Sequence, residues 1–192
     1  DLYDIEVGLG PYTYHSIHAV QVLAEAPASW RLLHVTDLHI GHDAEEFSAA
    51  YRYRVFVEEA NLLNPQVIVV TGDVCENQDL GSGPFVDSLL AITAALRVPV
   101  LILPGNHDYY NDGDYNPYYP LRYFQRVSRF ENTSLQLGRA HLFGFSSGPD
   151  LGLLELYRCR GPESAALDWA EAALSVLDPV LDRPRLFLMH GP

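Results

Sequence analysis

Four times along the chain an unbroken apolar run breaks off into polar side chains of the kind that bind metals or move protons. Leu32 to Thr36 runs into Asp37-Leu38-His39, Val67 to Thr71 into Gly72-Asp73, Val100 to Leu103 into Pro104-Gly105-Asn106-His107-Asp108, and Leu186 to Met189 into His190. Short continuous runs of Val, Ile and Leu predict strands buried on both faces, as in a parallel sheet covered by helices. Between the first three runs the apolar positions change to helical spacing. Over 44–63, Phe47, Tyr51, Val55 and Leu62 fall near one face, and Asn64-Pro65 ends the pattern. Over 85–96, with Pro84 suited to a first turn, Val86, Leu89, Leu90 and Leu96 do the same. The order βαβαβ predicts a parallel sheet with right-handed crossovers.

Beyond Asp108 the grammar changes. The stretch 109–119 is polar and holds five tyrosines, so it reads as a loop, followed by a short helix over 120–129. Ser134 to Leu137 and Ala140 to Ser146 flank Gly138-Arg139 and predict an antiparallel hairpin, with a further short strand over 153–157. Leu167, Ala170, Leu174 and Leu177 share a helical face over 163–177, which leads into the last apolar run. At the other end, Ile5, Val7 and Leu9 alternate like a short edge strand and Gly10-Pro11 turns, while Ile17 to Ala26 suits strand or helix. Residues 1–29 are therefore set apart as an N-terminal extension, and 30–192 as one domain with a core of its own.

Composition narrows the function classes. Hydrophobic residues make up 48% and charged residues 19%, the balance of a globular protein. All 12 basic residues are arginine, against 25 acidic ones, for a net charge of −13. Nucleic acid is disfavoured as a partner, because phosphate-backbone binding draws on clustered Lys and Arg. No apolar stretch is long enough to span a membrane as a helix. Two cysteines, Cys75 and Cys159, are too few for a disulfide framework and lack zinc-type spacing, which favours a reducing, cytoplasmic setting.

The order Asp37-x-His39, Gly72-Asp73, Gly105-Asn106-His107-Asp108 and then His190 resembles the calcineurin-like metallophosphoesterase superfamily, over Trp30 to Pro192. The resemblance implies an α/β fold, an αββα sandwich of two mixed sheets, and a dinuclear metal site. It implies that Asp37 and His39 hold one metal ion, Asn106 and His190 the other, and that Asp73 bridges them. Mixed nitrogen and oxygen ligation suits Mn, Fe or Zn better than Mg or Ca. By the same resemblance His107 is the general acid for the leaving alkoxide, and Asp108 holds its imidazole in the productive tautomer.

What the resemblance implies for function is hydrolysis of a small phosphoester substrate, a phosphodiester ahead of a monoester. A non-catalytic, metal-stabilised scaffold of the same fold is the alternative, and a nuclease stands lower because of the charge balance. Glu76 or Asn77 is expected to support the ligands from outside, Cys75 to be a small buried residue, His34 and His141 to be packed, and His42 to line the mouth. Members of the superfamily carry Gly-His-x-His beyond the histidine that corresponds to His190, and the chain stops at Pro192. The expectation is a domain lacking that segment, with an open sheet edge at which a second copy can pair.

Overall fold

A computed structural model describes residues 1–25, 27–42, 47–75, 84–111, 114–115, 126–127, 132–146, 164–175 and 184–190. The N-terminal stretch is one antiparallel hairpin, β1 (Leu2–Leu9) and β2 (Tyr12–Gln21), longer than the short edge strand expected from its alternation. Two additional residues bulge out of β2 opposite Tyr3 and Ile5. There Ile17 packs against the first core and the His18 ring reaches the carbonyl of Ala94 at 3.3 Å.

Three parallel strands follow in sequence order across one sheet: β3 (Leu32–Thr36), β4 (Val67–Thr71) and β5 (Val100–Leu103). The crossovers are α1 (Ala49–Leu63) and α2 (Pro84–Thr93). Alternation along β4 assigns its two faces. Ile68 and Val70 join Tyr53, Val57, Ala60, Val86 and Leu89 under the helices, whereas Val67 and Val69 join Leu103, Leu137 and Leu142 between the sheets. The second sheet runs β10 (Arg185–Met189), β9 (Ala140–Phe145), β8 (Asn132–Leu137); β10 is parallel to β9 and β8 antiparallel to it. The third helix, α3 (Ser164–Ser175), closes its outer face with Trp169 and Ala170 against Phe143 and Phe145. Helices, sheet, sheet and helix make the expected α/β sandwich. Among the described residues the first sheet is wholly parallel and the second is mixed.

Two expectations are corrected by the packing. Only β4 and β5 are buried runs; β3 and β10 are partly exposed, each with a single strand neighbour among the described residues. In α1 the buried face is Ala49, Tyr53, Val57 and Ala60, and the helix starts after Ser48, whose Oγ accepts the Tyr51 N–H at 3.2 Å. Phe47, Tyr51 and Leu62 face solvent instead. Tyr53 wins the core because its hydroxyl has a buried partner there: Thr93 donates to the Leu89 carbonyl at 2.7 Å and accepts from Tyr53 at 3.0 Å. Burial pushes that phenol up to about 12. In α3, likewise, Leu167 is exposed while Trp169 and Ala173 join Ala170 and Leu174 on the packed face. The expected helix over 120–129, except 126–127, and the strand over 153–157 lie outside the described residues, as does most of the tyrosine-rich loop. Of that loop, a 3-10 turn (His107–Tyr109) and the pair β6 (Tyr110–Asn111) and β7 (Asp114–Tyr115) are described.

Candidate metal centre

The first sheet delivers its polar residues at one end, where β3, β4 and β5 finish side by side with Thr36 opposite Thr71 and Thr71 opposite Leu103. Pairing continues past the strands: Asp37 N–H donates to the Gly72 carbonyl at 3.2 Å, His39 to Asp73 at 2.8 Å, Ile40 to Val74 at 3.0 Å and Gly72 to Leu103 at 2.8 Å. To keep those bonds while turning side chains outward, the chain enters left-handed backbone at Asp37 (φ 56°), His39 (φ 45°) and Asp73 (φ 49°). Such non-glycine conformations cost on the order of 1–3 kcal/mol each and persist only where the surroundings fix them.

Two glycines make the crossing of the loops sterically feasible. A Cβ on Gly72 (φ 73°) would stand 2.5 Å from Cγ of His190 and 2.6 Å from Cα of Gly105, and one on Gly105 would strike the Asp73 carboxylate and its backbone nitrogen. Asp108 then clips the loops together. Its fully buried carboxylate accepts the Gly105 N–H at 2.8 Å and the Val74 N–H at 3.2 Å. Burial, and next the charge of Asp73, raise its pKa to about 7, with the backbone donors acting against the rise.

Above this base the donors converge. One carboxylate oxygen each from Asp37 and Asp73 and a ring nitrogen of His39 lie within 4.8 Å of one another. Nε2 of His39 is 3.8 Å from Asp37 Oδ1 and 3.7 Å from Asp73 Oδ2. Nε2 of His190 is 3.2 Å from the same Asp73 Oδ2 and 3.0 Å from Asn106 Oδ1. The other oxygen of Asp73 accepts the His107 backbone N–H at 2.9 Å. All five residues expected as ligands therefore meet, with Asp73 between the two groups.

The donor chemistry fits a cation. Nδ1 of His190 points at the Thr71 carbonyl, 3.1 Å away, and a proton held there leaves the Nε2 lone pair facing two oxygens. Three acceptors so close need a proton or a metal ion among them. Burial opposes charge on His190, but the hydrogen bond and charge of Asp73, the charge of Asp37 and the Thr71 carbonyl outweigh it, so its pKa is raised. Burial likewise opposes charge on Asp73, and His190 with His107 more than offsets it, so that pKa is lowered.

His107 and Asp108 do not form the expected pair. Residues in a 3-10 turn advance about a third of a revolution each, so Asp108 turns into the base while His107 turns to His39, ring centroids 5.1 Å apart. Among the described residues the buried Nδ1 of His107 has no hydrogen-bond partner. Asp108 is thus a positioning residue for the loops and does not set the tautomer of His107. His42 is exposed, its ring 6.4 Å from that of His39. Cys75 is fully buried, and burial, with the charge of Asp108, pushes its thiol well up, so it is a packed residue and no soft ligand. His141 is buried against Phe143, while His34 is exposed, with Nε2 2.7 Å from Thr71 Oγ1. Glu76 and Asn77 lie outside the described residues. The reading of the sequence missed Thr36 and Thr71, whose only signal was a hydroxyl residue closing each apolar run.

A two-sheet α/β sandwich with carboxylate, imidazole and amide donors at the ends of its parallel strands defines a class, the metal-dependent phosphoesterases of the sandwich type. Residues 31–191 match the family model described as calcineurin-like phosphoesterase, and the chain belongs to that family. No curated protein matches it. Among solved structures it is similar to a dimetal phosphatase from Danio rerio, at 14% identity and a TM-score of 0.61, covering 83% of this chain and 68% of that one. It is also similar to a purple acid phosphatase from yellow lupin (Lupinus luteus) seeds, at 14% identity and a TM-score of 0.56, covering 93% of this chain. The chain spans 33% of the lupin enzyme's length. At such identity the likeness is one of fold. No helix among the described residues is long and apolar enough to cross a membrane.

Proposed function

We propose that this chain hydrolyses phosphoric ester bonds with two metal ions, one held by Asp37, His39 and Asp73 and the other by Asp73, Asn106 and His190. The observation that carries the reading is the position of Asp73 Oδ2, which faces His39 Nε2 on one side and His190 Nε2 on the other. Family membership and the printed names of the two neighbours, a dimetal phosphatase and a purple acid phosphatase, support it. Two such ions supply Lewis acidity for the phosphoryl oxygens and acidify a water for in-line attack.

The chain's own residues do the rest. Asp73 and Asp37 bring the negative charge that balances the cations, and the left-handed turns hold both carboxylates beside the imidazoles. His107, next to His39, protonates the departing alkoxide, a contribution of about 10²–10⁴ in rate where the leaving group is poor. Mixed nitrogen and oxygen donors favour Mn, Fe or Zn. Phosphodiesters are the preferred substrates in this reading, with monoesters second.

The test is turnover of bis(p-nitrophenyl) phosphate and p-nitrophenyl phosphate by protein loaded with Mn²⁺, Fe²⁺ or Zn²⁺, against the chelated protein. Metal-dependent release from the diester, faster than from the monoester, is expected. Faster release from the monoester would reverse the substrate order, and two bound metals without turnover of either ester would leave a metal-stabilised scaffold.

A further inference from the structure

Asp37 is the exposed member of the ligand set, its side chain 51% accessible, and an exposed carboxylate rotates freely unless something holds it. Among the described residues its one hydrogen bond comes from the hydroxyl of the preceding residue, Thr36, at 2.7 Å. The same hydroxyl also donates to the Thr71 carbonyl at 2.5 Å, and its oxygen is 3.2 Å from Nδ1 of His190. Thr36 closes β3 and His190 follows β10, so a single hydroxyl touches ligands delivered by two different sheets.

A hydroxyl has one proton and two lone pairs, which orders this contact. The Thr71 carbonyl and the Thr36 oxygen both lie on the Nδ1 side of His190, 3.1 and 3.2 Å away, and together can accept its N–H. The one Thr36 proton lies between the Asp37 carboxylate and the Thr71 carbonyl and is shared by both. The resulting chain, from His190 N–H to Thr36 O–H to the Asp37 carboxylate, turns the Nε2 edge of His190 towards Asn106 and Asp73 and fixes the rotation of Asp37. Thr71 gives the carbonyl that completes it, from the residue directly opposite Thr36 in the β3–β4 register.

We propose that Thr36 is the positioning residue that holds one ligand of each metal subsite in place through a single hydroxyl, without touching either metal. The proposal rests on the two-metal reading above, and it goes beyond that reading in assigning the orientation of Asp37 and His190 to a residue outside the ligand set. Outer partners of this kind are worth about 10–100-fold in metal affinity.

Three variants of the full chain separate the outcomes, with Mn²⁺ alone as the probe in titration calorimetry and the metal-free protein followed by thermal melting. Thr36→Val keeps the shape and removes the hydroxyl; it is expected to bind Mn²⁺ about 10–100-fold more weakly with an unchanged metal-free melt. Thr36→Ser restores the hydroxyl without the methyl and is expected to bind within about threefold of the parent. Equal affinity of the parent and Thr36→Val overturns the proposal, and so does weakening in Thr36→Ser as large as in Thr36→Val, which would place the effect in methyl packing. Should Thr36→Val melt early without metal, the serine variant still decides between hydroxyl and packing. Asp73→Asn tests the underlying reading separately: if it binds two Mn²⁺ as the parent does, the bridging site itself is wrong, whatever Thr36 does.

Discussion

At the scale of single residues the buried carboxyl of Asp108 makes the clearest demand on pH. Its pKa of about 7 lies well above the ordinary carboxylate value, chiefly through burial. A group raised in this way adds stability that is whole below its unfolded pKa, about 3.9, and fades as pH climbs through the folded value. His190, also raised, acts in the same direction above its ordinary value of about 6.5. Asp73, lowered, contributes above the ordinary carboxylate range and loses that contribution only as acid drives pH below it. The metal-free protein is therefore expected to lose stability as pH rises from about 4 to about 7 through Asp108, at about 1.4 kcal/mol per unit of pKa shift, and to lose more above about 6.5 through His190. Asp108→Asn should flatten the part of that fall between about pH 4 and 7. Urea melts across the range check both, and a profile that rises with pH would refute the assignment. His107 allows a second expectation: His107→Ala keeps bound metal but slows alkyl esters far more than nitrophenyl esters, since only the former need a proton on departure. Equal losses on the two ester types, or metal loss, would remove the acid role. The five ligand candidates were legible because each is a polar side chain where an apolar run stops. The role of Asp108 was not, because adjacency in sequence says nothing about which way a 3-10 turn aims two neighbours.

Among the elements, the crossing of the loops after β4 and β5 depends on two absent side chains. A Cβ at Gly105 meets the Asp73 carboxylate and stands 2.5 Å from its backbone nitrogen, and backbone cannot rotate aside as a side chain can. Gly105→Ala is accordingly expected to cost about 1–3 kcal/mol of stability and to shift Asp73 enough that metal binding falls with it. Calorimetric melting and metal-to-protein ratios on the same sample measure the two together; unchanged values for both would mean that the loops have slack the distances do not show. Gly-Asp and Gly-Asn were visible in the sequence as turn signals, but their interlocking belongs to two loops far apart in the chain. The same limit explains α1. Spacing alone fits Phe47, Tyr51 and Leu62 as well as it fits Tyr53, Val57 and Ala60, and the choice was made by Thr93 on α2, a partner no local pattern contains. β4 and β5 read correctly as buried runs because helices and the second sheet cover both their faces. Apolar content in β3 and β10 gave the same signal, although sheet position leaves them partly exposed.

For the molecule as a whole, the candidate metal centre lies where two sheets meet that, among the described residues, also pack through apolar side chains around Val69, Leu103, Leu142 and Leu188. Asp37, His39, Asp73 and Asn106 come from the ends of the first sheet, and His190 alone among the candidates comes from the second, on the loop after β10. His190 is held by hydrogen bonds to Thr71 and Asn106 and by its ion pair with Asp73; in the two-metal reading proposed above, bound cations would tie the end of β10 to the first sheet through it. A ligand that binds only the folded chain stabilises it by about 2.7 kcal/mol at a hundredfold excess over Kd. For a domain of this size that is a rise in Tm of roughly 5–10 °C. Among the described residues β10 has one strand neighbour, and Leu186, Phe187 and Met189 on it are exposed, so its amides should be among the first in the sandwich to open. Hydrogen exchange with and without Mn²⁺ is the measurement that resolves this. Metal is expected to slow exchange in β10 more than in β4, which is buried from end to end already. His190→Ala should keep the protection that metal gives around Asp37 and His39 and lose it in β10. If metal protects β10 equally in the parent and in that variant, the tie between the sheets runs through some other residue, and His190 has no part in the second metal site.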